Sequence, residues 1–218
     1  MTIRERENQL FRNWYRSVSV KEGQTFIIDG LVDEEGWENT PFNVLYLSEQ
    51  PVGIMDDECD YFYLYEGTYE HLYSEKIECL VQWLQVIFHG VATISISEEH
   101  KRRLLRQIAV VNIDKIDGSE ESDRRSNSIL GRLFLREQLD MYACDLVLCD
   151  KTAEALKNLD TKYAADKWKT AETGMMYLRI GRTVYLDITV DDGLLLQTLE
   201  EINRTEKMKW EGRRALPL

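Results

Sequence analysis

The stretch NVLYL at residues 43–47 decides the fold class, because it is a short and nearly continuous apolar run. Runs of this length and character are typical of β-strands that are buried on both faces of a sheet. Three later segments share this character: IAVVNI at 108–113, DLVLC at 145–149 and VYLDI at 184–188. We therefore predict a strand at each of these four positions.

Segments in which apolar residues recur with helical spacing separate these strands. They lie at 3–17, from 74 to about 90, after Ser97, at 123–142, from about 152 to 159 and at 191–206. A hairpin is predicted from 175–180 and 183–188, with its turn at Gly181.

The alternation of strands and helices predicts an α/β protein, a three-layer α/β/α fold with a mostly parallel central sheet of about four strands. No internal repeat and no linker interrupt the pattern. We therefore predict a single domain over 1–218, with 1–23 as a helical lead-in and 207–218 as a loose tail.

The composition limits the class of protein. The 218 residues include 39 acidic and 27 basic side chains, which gives a formal net charge of −12. This balance argues against a protein that coats nucleic acid through bulk charge, but it leaves a local basic groove open. The charged N-terminus shows no signal peptide, and no apolar run approaches the roughly 20 residues of a membrane span. We expect a cytoplasmic protein with no membrane partner.

The residue types used most often for metal and cofactor chemistry form no recognised pattern. No two of the four cysteines have C-x-x-C spacing, so reduced thiols in the core are the favoured interpretation. The histidines, His71, His89 and His100, form no pair with metal-ligand spacing. The G-x-S-x-G, P-loop and G-x-G-x-x-G motifs are absent from the sequence. We expect neither a metal nor a cofactor.

Parallel sheets bind ligands at the carboxyl ends of their strands, so the residues that follow the predicted strands are candidates for a site. The turn at 48–53 (SEQPVG) brings Glu49 to that position, although a solvated glutamate in a surface turn is the plainer interpretation. Asn112 lies near the end of the second strand, and its carboxamide can read the edge of a nucleobase. The alternative is an asparagine that satisfies the backbone of a neighbouring loop.

Two clusters of side chains could contact nucleic acid. The aromatic cluster could stack on a flat ring, or it could pack a long loop onto the core. It comprises Tyr61, Phe62, Tyr63 and Tyr65. The basic cluster could dock a polyanion, or it could be a solvated helix face that pairs with nearby glutamates. It comprises Lys101, Arg102, Arg103 and Arg106, with Arg124, Arg125, Arg132 and Arg136 further along the chain.

Taken in order, four segments resemble the uracil-DNA glycosylase superfamily. Residues 43–53 (NVLYLSEQPVG) look like its first strand and motif, which ends G-E-x-P-G in several branches. Residues 108–112 (IAVVN) look like the strand that carries a base-reading asparagine. Residues 145–156 (DLVLCDKTAEAL) resemble a strand, turn and helix of the V-V-L-x-G-x-x-A-x-x-L type, and 183–202 lie where the second motif and the final helix belong. The resemblance covers roughly residues 24–203.

The resemblance implies an enzyme that flips a base out of DNA and hydrolyses its N-glycosidic bond. This reaction places positive charge on the sugar and negative charge on the departing base, so carboxylates and a positioned water favour it. The implied candidates are Glu49, Gln50, Asp187 and Asp191 for catalysis, Asn112, Tyr61, Phe62 and Thr189 for binding the base, and Lys101, Arg102, Arg103 and Arg106 for the DNA backbone.

The chain departs from the family in its second motif, which normally carries His-Pro at the end of the last strand. The region at 185–192 reads YLDITVDD, and no histidine follows residue 100. Gln50 stands where some branches activate water, which leaves Glu49 as the only carboxylate of the first motif. The donor that normally stabilises the departing base is therefore missing.

Two main classes of function remain open. The first is an atypical DNA glycosylase that removes a damaged or modified base, in DNA repair or in defence against phage. The second is a catalytically inactive protein of the glycosylase fold that binds a nucleotide, DNA or a protein partner. The net charge of −12 and the missing histidine favour the second class. The working residues retained in the first two motifs favour the first class. A weaker third class is an acidic decoy that occupies a DNA-binding surface of another protein.

Overall fold

The structure is a computed structural model that describes residues 1–22, 25–40, 42–49, 75–90, 96–117, 129–188 and 194–206. Its strands are β1 (Thr25–Phe26), β2 (Gly30–Leu31), β3 (Val44–Ser48), β4 (Ile108–Asn112), β5 (Ile116–Asp117), β6 (Leu146–Asp150), β7 (Lys169–Thr170), β8 (Met176–Ile180) and β9 (Thr183–Asp187). Its α-helices are α1 (Ile3–Ser17), α2 (Glu34–Asn39), α3 (Glu75–His89), α4 (Glu98–Leu105), α5 (Ile129–Met141), α6 (Ala153–Lys157) and α7 (Leu195–Glu206).

Seven of these strands form one mixed sheet in the order β2-β4-β3-β6-β9-β8-β7. The four adjacent strands β4, β3, β6 and β9 are parallel to one another. They are the four segments that the apolar runs predict, so the α/β class is confirmed. β1 and β5 pair separately as a short antiparallel ribbon.

The expected number of about four strands is wrong, because three further strands extend the sheet. β2 joins β4 at one side, and β8 and β7 follow β9 at the other, all by antiparallel pairing. β2 and β7 are two residues long, which is too short for a periodic pattern to be visible in a sequence. The predicted hairpin of β8 and β9 is present, and Gly181 supports its turn with a φ of +60°.

Hydrophobic side chains are buried on both faces of the sheet, because successive residues of a strand point to opposite faces. On β3, Tyr46 belongs to a hydrophobic cluster that includes residues of α3, α4 and α7, whereas Leu45 belongs to a second cluster with residues of α1, α2, α5 and α6. Helices therefore cover the parallel strands from both sides. This double burial explains why these strands read as continuous rather than alternating apolar runs.

The helix α1 shows how the sequence sets a boundary and a buried face. Thr2 begins the helix with a capping box, in which its hydroxyl accepts from the backbone of Glu5 and the Glu5 carboxylate accepts from the backbone of Thr2. The predicted apolar stripe is buried, and it includes Phe11 and Trp14. Glu7 lies on the same face and is also buried, with 1% of its surface exposed.

Several predictions fall on residues outside the described ranges. They are the aromatic cluster at 61–65, the helix starts at 123–128 and 191–193, and the tail at 207–218. Within the described ranges, no helix is long and apolar enough to cross a membrane. Cys144 and Cys149 are buried thiols without a disulfide, and burial raises the pKa of both.

Candidate functional site

The parallel strands end together and bring several candidates to one edge of the sheet, here called the carboxyl edge. Ser48, the last residue of β3, pairs in register with Asn112 on one side and with Asp150 on the other. Asp187 ends the next strand, β9. Glu49 follows Ser48 directly and is exposed. Three of the predicted site residues, Glu49, Asn112 and Asp187, therefore lie at the same edge.

The other predicted residues of this site lie outside the described residues. They are Gln50, Tyr61, Phe62, Thr189 and Asp191.

The connections that leave β3 and β6 cross to opposite faces of the sheet, which makes the carboxyl ends of these two strands a topological switch point. From β3 the chain passes to α3 and α4 on one face, and from β6 it passes to α6 on the other face. Ligands of open α/β sheets bind at such a point. Lys151 lies here, directly after β6, and its φ of +56° is unusual for a residue with a side chain. Its exposed ammonium group is a cation at this edge.

Asn112 is fixed by a second buried residue, Asp29, which precedes β2. The backbone N–H of Asn112 donates to Asp29 Oδ2 at 2.7 Å, and its side-chain Nδ2 donates to the same oxygen at 2.9 Å. Both residues have 0% of their surface exposed. The orientation of the carboxamide is settled by this contact, because a flipped amide would place its oxygen against the carboxylate. Asn112 Oδ1 has no hydrogen-bond partner within the described part of the chain.

Asp29 is the centre of a buried polar network. Lys115 Nζ donates to both of its carboxylate oxygens, and Gln138 Nε2 donates to Oδ1 at 2.8 Å. The ammonium group of Lys115 also lies over the rings of Phe11 and Trp14, at 5.5 and 5.3 Å from their centroids. Burial lowers the pKa of Lys115, and the charge of Asp29 opposes this shift. The network ties α1, β4 and α5 together beneath the carboxyl edge.

Glu7 extends the network with a second buried carboxyl group. Its Oε1 accepts from the backbone N–H of Leu31 and from Tyr142 Oη, each at 2.8 Å. Burial raises the pKa of Glu7 to about 7, although both hydrogen bonds and the charge of Arg4 oppose the shift. Gly30 allows this approach, since a Cβ atom there would lie 2.1 Å from Glu7 Oε1.

Asp150 adds a carboxylate at the switch point. Tyr46 Oη, which is almost fully buried, donates to Asp150 Oδ2 at 2.7 Å. With Glu49 and Asp187, Asp150 makes the carboxyl edge rich in acidic groups. Such groups can stabilise a developing cation and can orient a water molecule.

The predicted DNA-backbone residues lie at the opposite edge, here called the amino edge, where β4 begins. Val32 N donates to Ile108 O there. Asp33 follows Val32 after β2, and Arg106 precedes β4. A five-residue strand spans roughly 13 Å, which separates Arg106 from Asn112 by about that length or more. The candidates for chemistry and those for the backbone are therefore not brought together.

A groove of about 1050 Å³ opens at the amino edge between α2, α3 and α4. Arg102, Arg103 and Arg106 line it. Lys101 is different, because it is buried and its ammonium group is paired with Glu78 and Glu98. Its charge is neutralised inside the protein, so Lys101 is not a free contact for phosphate.

Sequence reasoning missed Asp29, Lys115, Asp150 and Lys151. Asp29 carried a signal, because a carboxylate within the apolar segment FIIDGL must find a buried partner. Asp150 also carried one, because it follows an apolar strand at the edge where ligands bind. The pairing of Asp29 with Asn112 joins residues 83 positions apart and had no visible signal.

Among the described residues, no group of three or more His, Cys, Asp or Glu side chains could hold a metal ion. Comparison with the known protein families, with curated proteins and with solved structures gave no match.

Proposed function

We propose that this chain is a DNA glycosylase that hydrolyses the N-glycosidic bond of a damaged or modified base flipped out of DNA. The observation that carries the proposal is the placement of Glu49, Asn112 and Asp187 at the carboxyl edge of the four parallel strands of one sheet. The four segments that resemble the uracil-DNA glycosylase superfamily contain the four parallel strands of this sheet. Helices on both faces support the three-layer α/β/α arrangement expected of that resemblance.

In this proposal, the acidic groups act on the sugar. Loss of the base leaves positive charge on the sugar ring, and the nearby carboxylates of Asp150 and Asp187 favour that charge. Glu49 is exposed at the end of β3 and orients the attacking water. The proton removed from water passes to a carboxylate, and the electron pair of the broken bond leaves with the base.

Asn112 contacts the base through its amide oxygen, because its amide nitrogen donates to Asp29. Because Nδ2 of Asn112 faces Asp29, the oxygen Oδ1, which is buried in the free protein, is the atom left to accept a hydrogen bond from an N–H group of a base that enters the site. The exposed cation of Lys151 contacts a phosphate beside the flipped nucleotide. The arginines of the amino edge then contact a more distant part of the DNA, since they lie at the other end of β4.

The test is a base-release assay on oligonucleotides that contain uracil, hypoxanthine or modified cytosines, in single- and double-stranded form, followed by alkali cleavage at abasic sites. We expect strand cleavage with at least one of these bases. Asn112→Ala removes a preorganised group and should lower the rate by about 10²–10³. Glu49→Gln should lower it at least as much. Glu154→Gln, an exposed substitution on α6, is the matched control for the lost charge.

A rate that is unchanged in both Asn112→Ala and Glu49→Gln would contradict the proposed site. Absence of base release from every oligonucleotide would contradict the proposed activity.

The second candidate function is binding without catalysis, and one observation favours it. The two described histidines, His89 and His100, lie beside the groove of the amino edge. They are therefore at the end of the sheet opposite Asn112, and neither is placed to donate to a departing base. A binding protein would release no base, yet it would bind a nucleotide or oligonucleotide. Asn112→Ala should weaken that binding by about 1–3 kcal/mol, because it removes one partner of a polar contact.

A further inference from the structure

The amino-edge groove holds three guanidinium groups and an imidazole. Arg102, Arg103, Arg106 and His100 all line it, and its volume of about 1050 Å³ is sufficient for a nucleotide-sized ligand. Arginine presents planar, forked donors that match the oxygens of phosphate and sulfate. The groove lies at the other end of the sheet from the proposed base site, so binding in the groove can be measured apart from base release.

The imidazole of His100 is held in one tautomer by its neighbours. Nη2 of Arg103 lies 2.6 Å from Nδ1 of His100, and Nε2 of His100 lies 2.6 Å from Oε1 of Gln85. A guanidinium can only donate, so Nδ1 accepts and the single ring proton lies on Nε2. The structure thus fits a neutral His100 with Arg103 turned toward it.

The groups around His100 oppose its protonation. Burial, the charge of Arg103 and the electrostatic effect of His89 lower the pKa of His100 below its ordinary value. His89 lies at the end of α3, and its ring centroid is 5.3 Å from that of His100. Protonation would place an N–H of His100 against the guanidinium of Arg103 and would release that side chain.

Carboxylates also line the groove, but their positions limit their effect on a ligand. Asp33 accepts from the backbone N–H of Gly36 at 2.6 Å and from Arg106 at 2.9 Å, so its charge is balanced within the protein. Glu35 and Glu99 are exposed to solvent, where water and salt screen their charges.

We propose that the amino-edge groove binds a tetrahedral oxyanion, as a free ion or as the phosphodiester of a nucleic acid, and that protonation of His100 strengthens this binding. At neutral pH, Arg103 is occupied by the imidazole. At acidic pH, His100 becomes a cation and Arg103 turns to the ligand, so two positive groups face the anion. By linkage, the bound anion raises the pKa of His100 as much as the proton raises the affinity.

The experiment measures binding of sulfate and of a short oligothymidylate at about pH 5 and about pH 7.5. Both probes keep a constant charge over this range, so a change in affinity reports the protein. Sulfate is followed by chemical-shift titration and the labelled oligonucleotide by fluorescence anisotropy. We expect binding to be about tenfold tighter at the lower pH, which corresponds to a rise of about one unit in the pKa of His100 on binding.

Two variants test the assignment, and one is a control. Binding by the wild type should depend on pH more steeply than binding by His100→Gln, because the variant has no imidazole to protonate at this position. Arg103→Gln should weaken binding about tenfold at the lower pH. Arg12→Gln removes one exposed arginine from α1, outside the groove, and should change neither the affinity nor its pH dependence. Sulfate binding without tighter oligonucleotide binding identifies a free oxyanion as the ligand, whereas much tighter oligonucleotide binding identifies a nucleic acid backbone.

The proposal is overturned if neither probe binds saturably at the lower pH, or if His100→Gln retains the pH dependence of the wild type. These outcomes are independent of base release. A chain without glycosylase activity can still bind an oxyanion in the groove, and an active glycosylase can fail to do so.

Discussion

At the carboxyl edge, a carboxylate and an ammonium group pair inside the protein, whereas at the amino edge a similar pair faces water. The side chains of Lys115 and Asp29 are 3% and 0% exposed. Those of Arg106 and Asp33 are 59% and 23% exposed. A buried pair that loses one partner leaves an uncompensated charge in a medium of low polarity, and an exposed pair that loses one is solvated. The first pair therefore fixes the shape of the buried network, whereas the second can open in water at little cost.

The largest expected effect comes from Asp29→Asn. The substitution keeps the shape of the side chain but leaves the ammonium group of Lys115 buried without a carboxylate. We expect a loss of about 3–5 kcal/mol in the free energy of unfolding, measured by urea denaturation. Asp166→Asn, an exposed substitution, is the control. A loss of less than about 1 kcal/mol would show that the network contributes little to stability.

The pH dependence of stability should reveal Glu7. Its pKa is raised from 4.5 to about 7 in the folded protein, so the folded state binds the proton more tightly than the unfolded state. This contribution is fully present below pH 4.5 and is lost as the pH rises to about 7. The difference amounts to about 3 kcal/mol.

Urea denaturation of the wild type and of Glu7→Gln at several pH values between these limits checks the expectation. The variant should lack the part of the pH dependence that Glu7 supplies. Parallel curves for the two proteins would show that Glu7 ionises in the folded state as it does in the unfolded chain.

Gly30→Ala should cost more than a glycine substitution in open space. Both Gly30 and Gly174 have positive φ, +126° and +87°, so each alanine carries backbone strain of about 1–3 kcal/mol. Only at Gly30 would the added Cβ also meet Glu7 and Tyr142, whereas at Gly174 nothing lies within 4 Å. Thermal unfolding of the two variants measures the difference. Equal losses would mean that α1 moves away without cost.

The smallest effect is expected at the amino edge. Arg106→Gln breaks the exposed pair with Asp33 and should lower the free energy of unfolding by less than about 1 kcal/mol. Urea denaturation under the conditions used for Asp29→Asn gives a direct comparison of the two edges. Similar losses at the two positions would remove the distinction between a structural pair and an exchangeable one.

The sequence predicted what depends on repeated local patterns. The four parallel strands and the helix α1 were visible because apolar residues recur along each of them. The start of α4 after Ser97 was visible as well, because serine is a residue type that caps helices, and Ser97 accepts from the backbone N–H of His100. Two-residue strands such as β2 carry no such pattern.

The candidate site was predicted in part for the same reason. Glu49, Asn112 and Asp187 lie at the ends of apolar strands, so the rule that parallel strands end at one edge placed them together. The separation of the basic residues from this edge could be read in part, because Arg106 precedes β4 and therefore lies at the end of that strand opposite Asn112. The hydrogen bonds from Asn112 to Asp29 depend on the antiparallel pairing of β2 with β4. A strand of two residues has no pattern that predicts this pairing.

The docking of α1 has a consequence for how the chain folds during its synthesis. Glu7 is 135 residues from its partner Tyr142, and Trp14 stacks on Phe134 of α5 at 5.5 Å. At a synthesis rate of about 5–20 residues per second, the first helix waits several seconds for the segment that covers it. During that interval its aromatic face is exposed, so nascent chains halted before α5 should be the species that chaperones bind and that aggregate most readily.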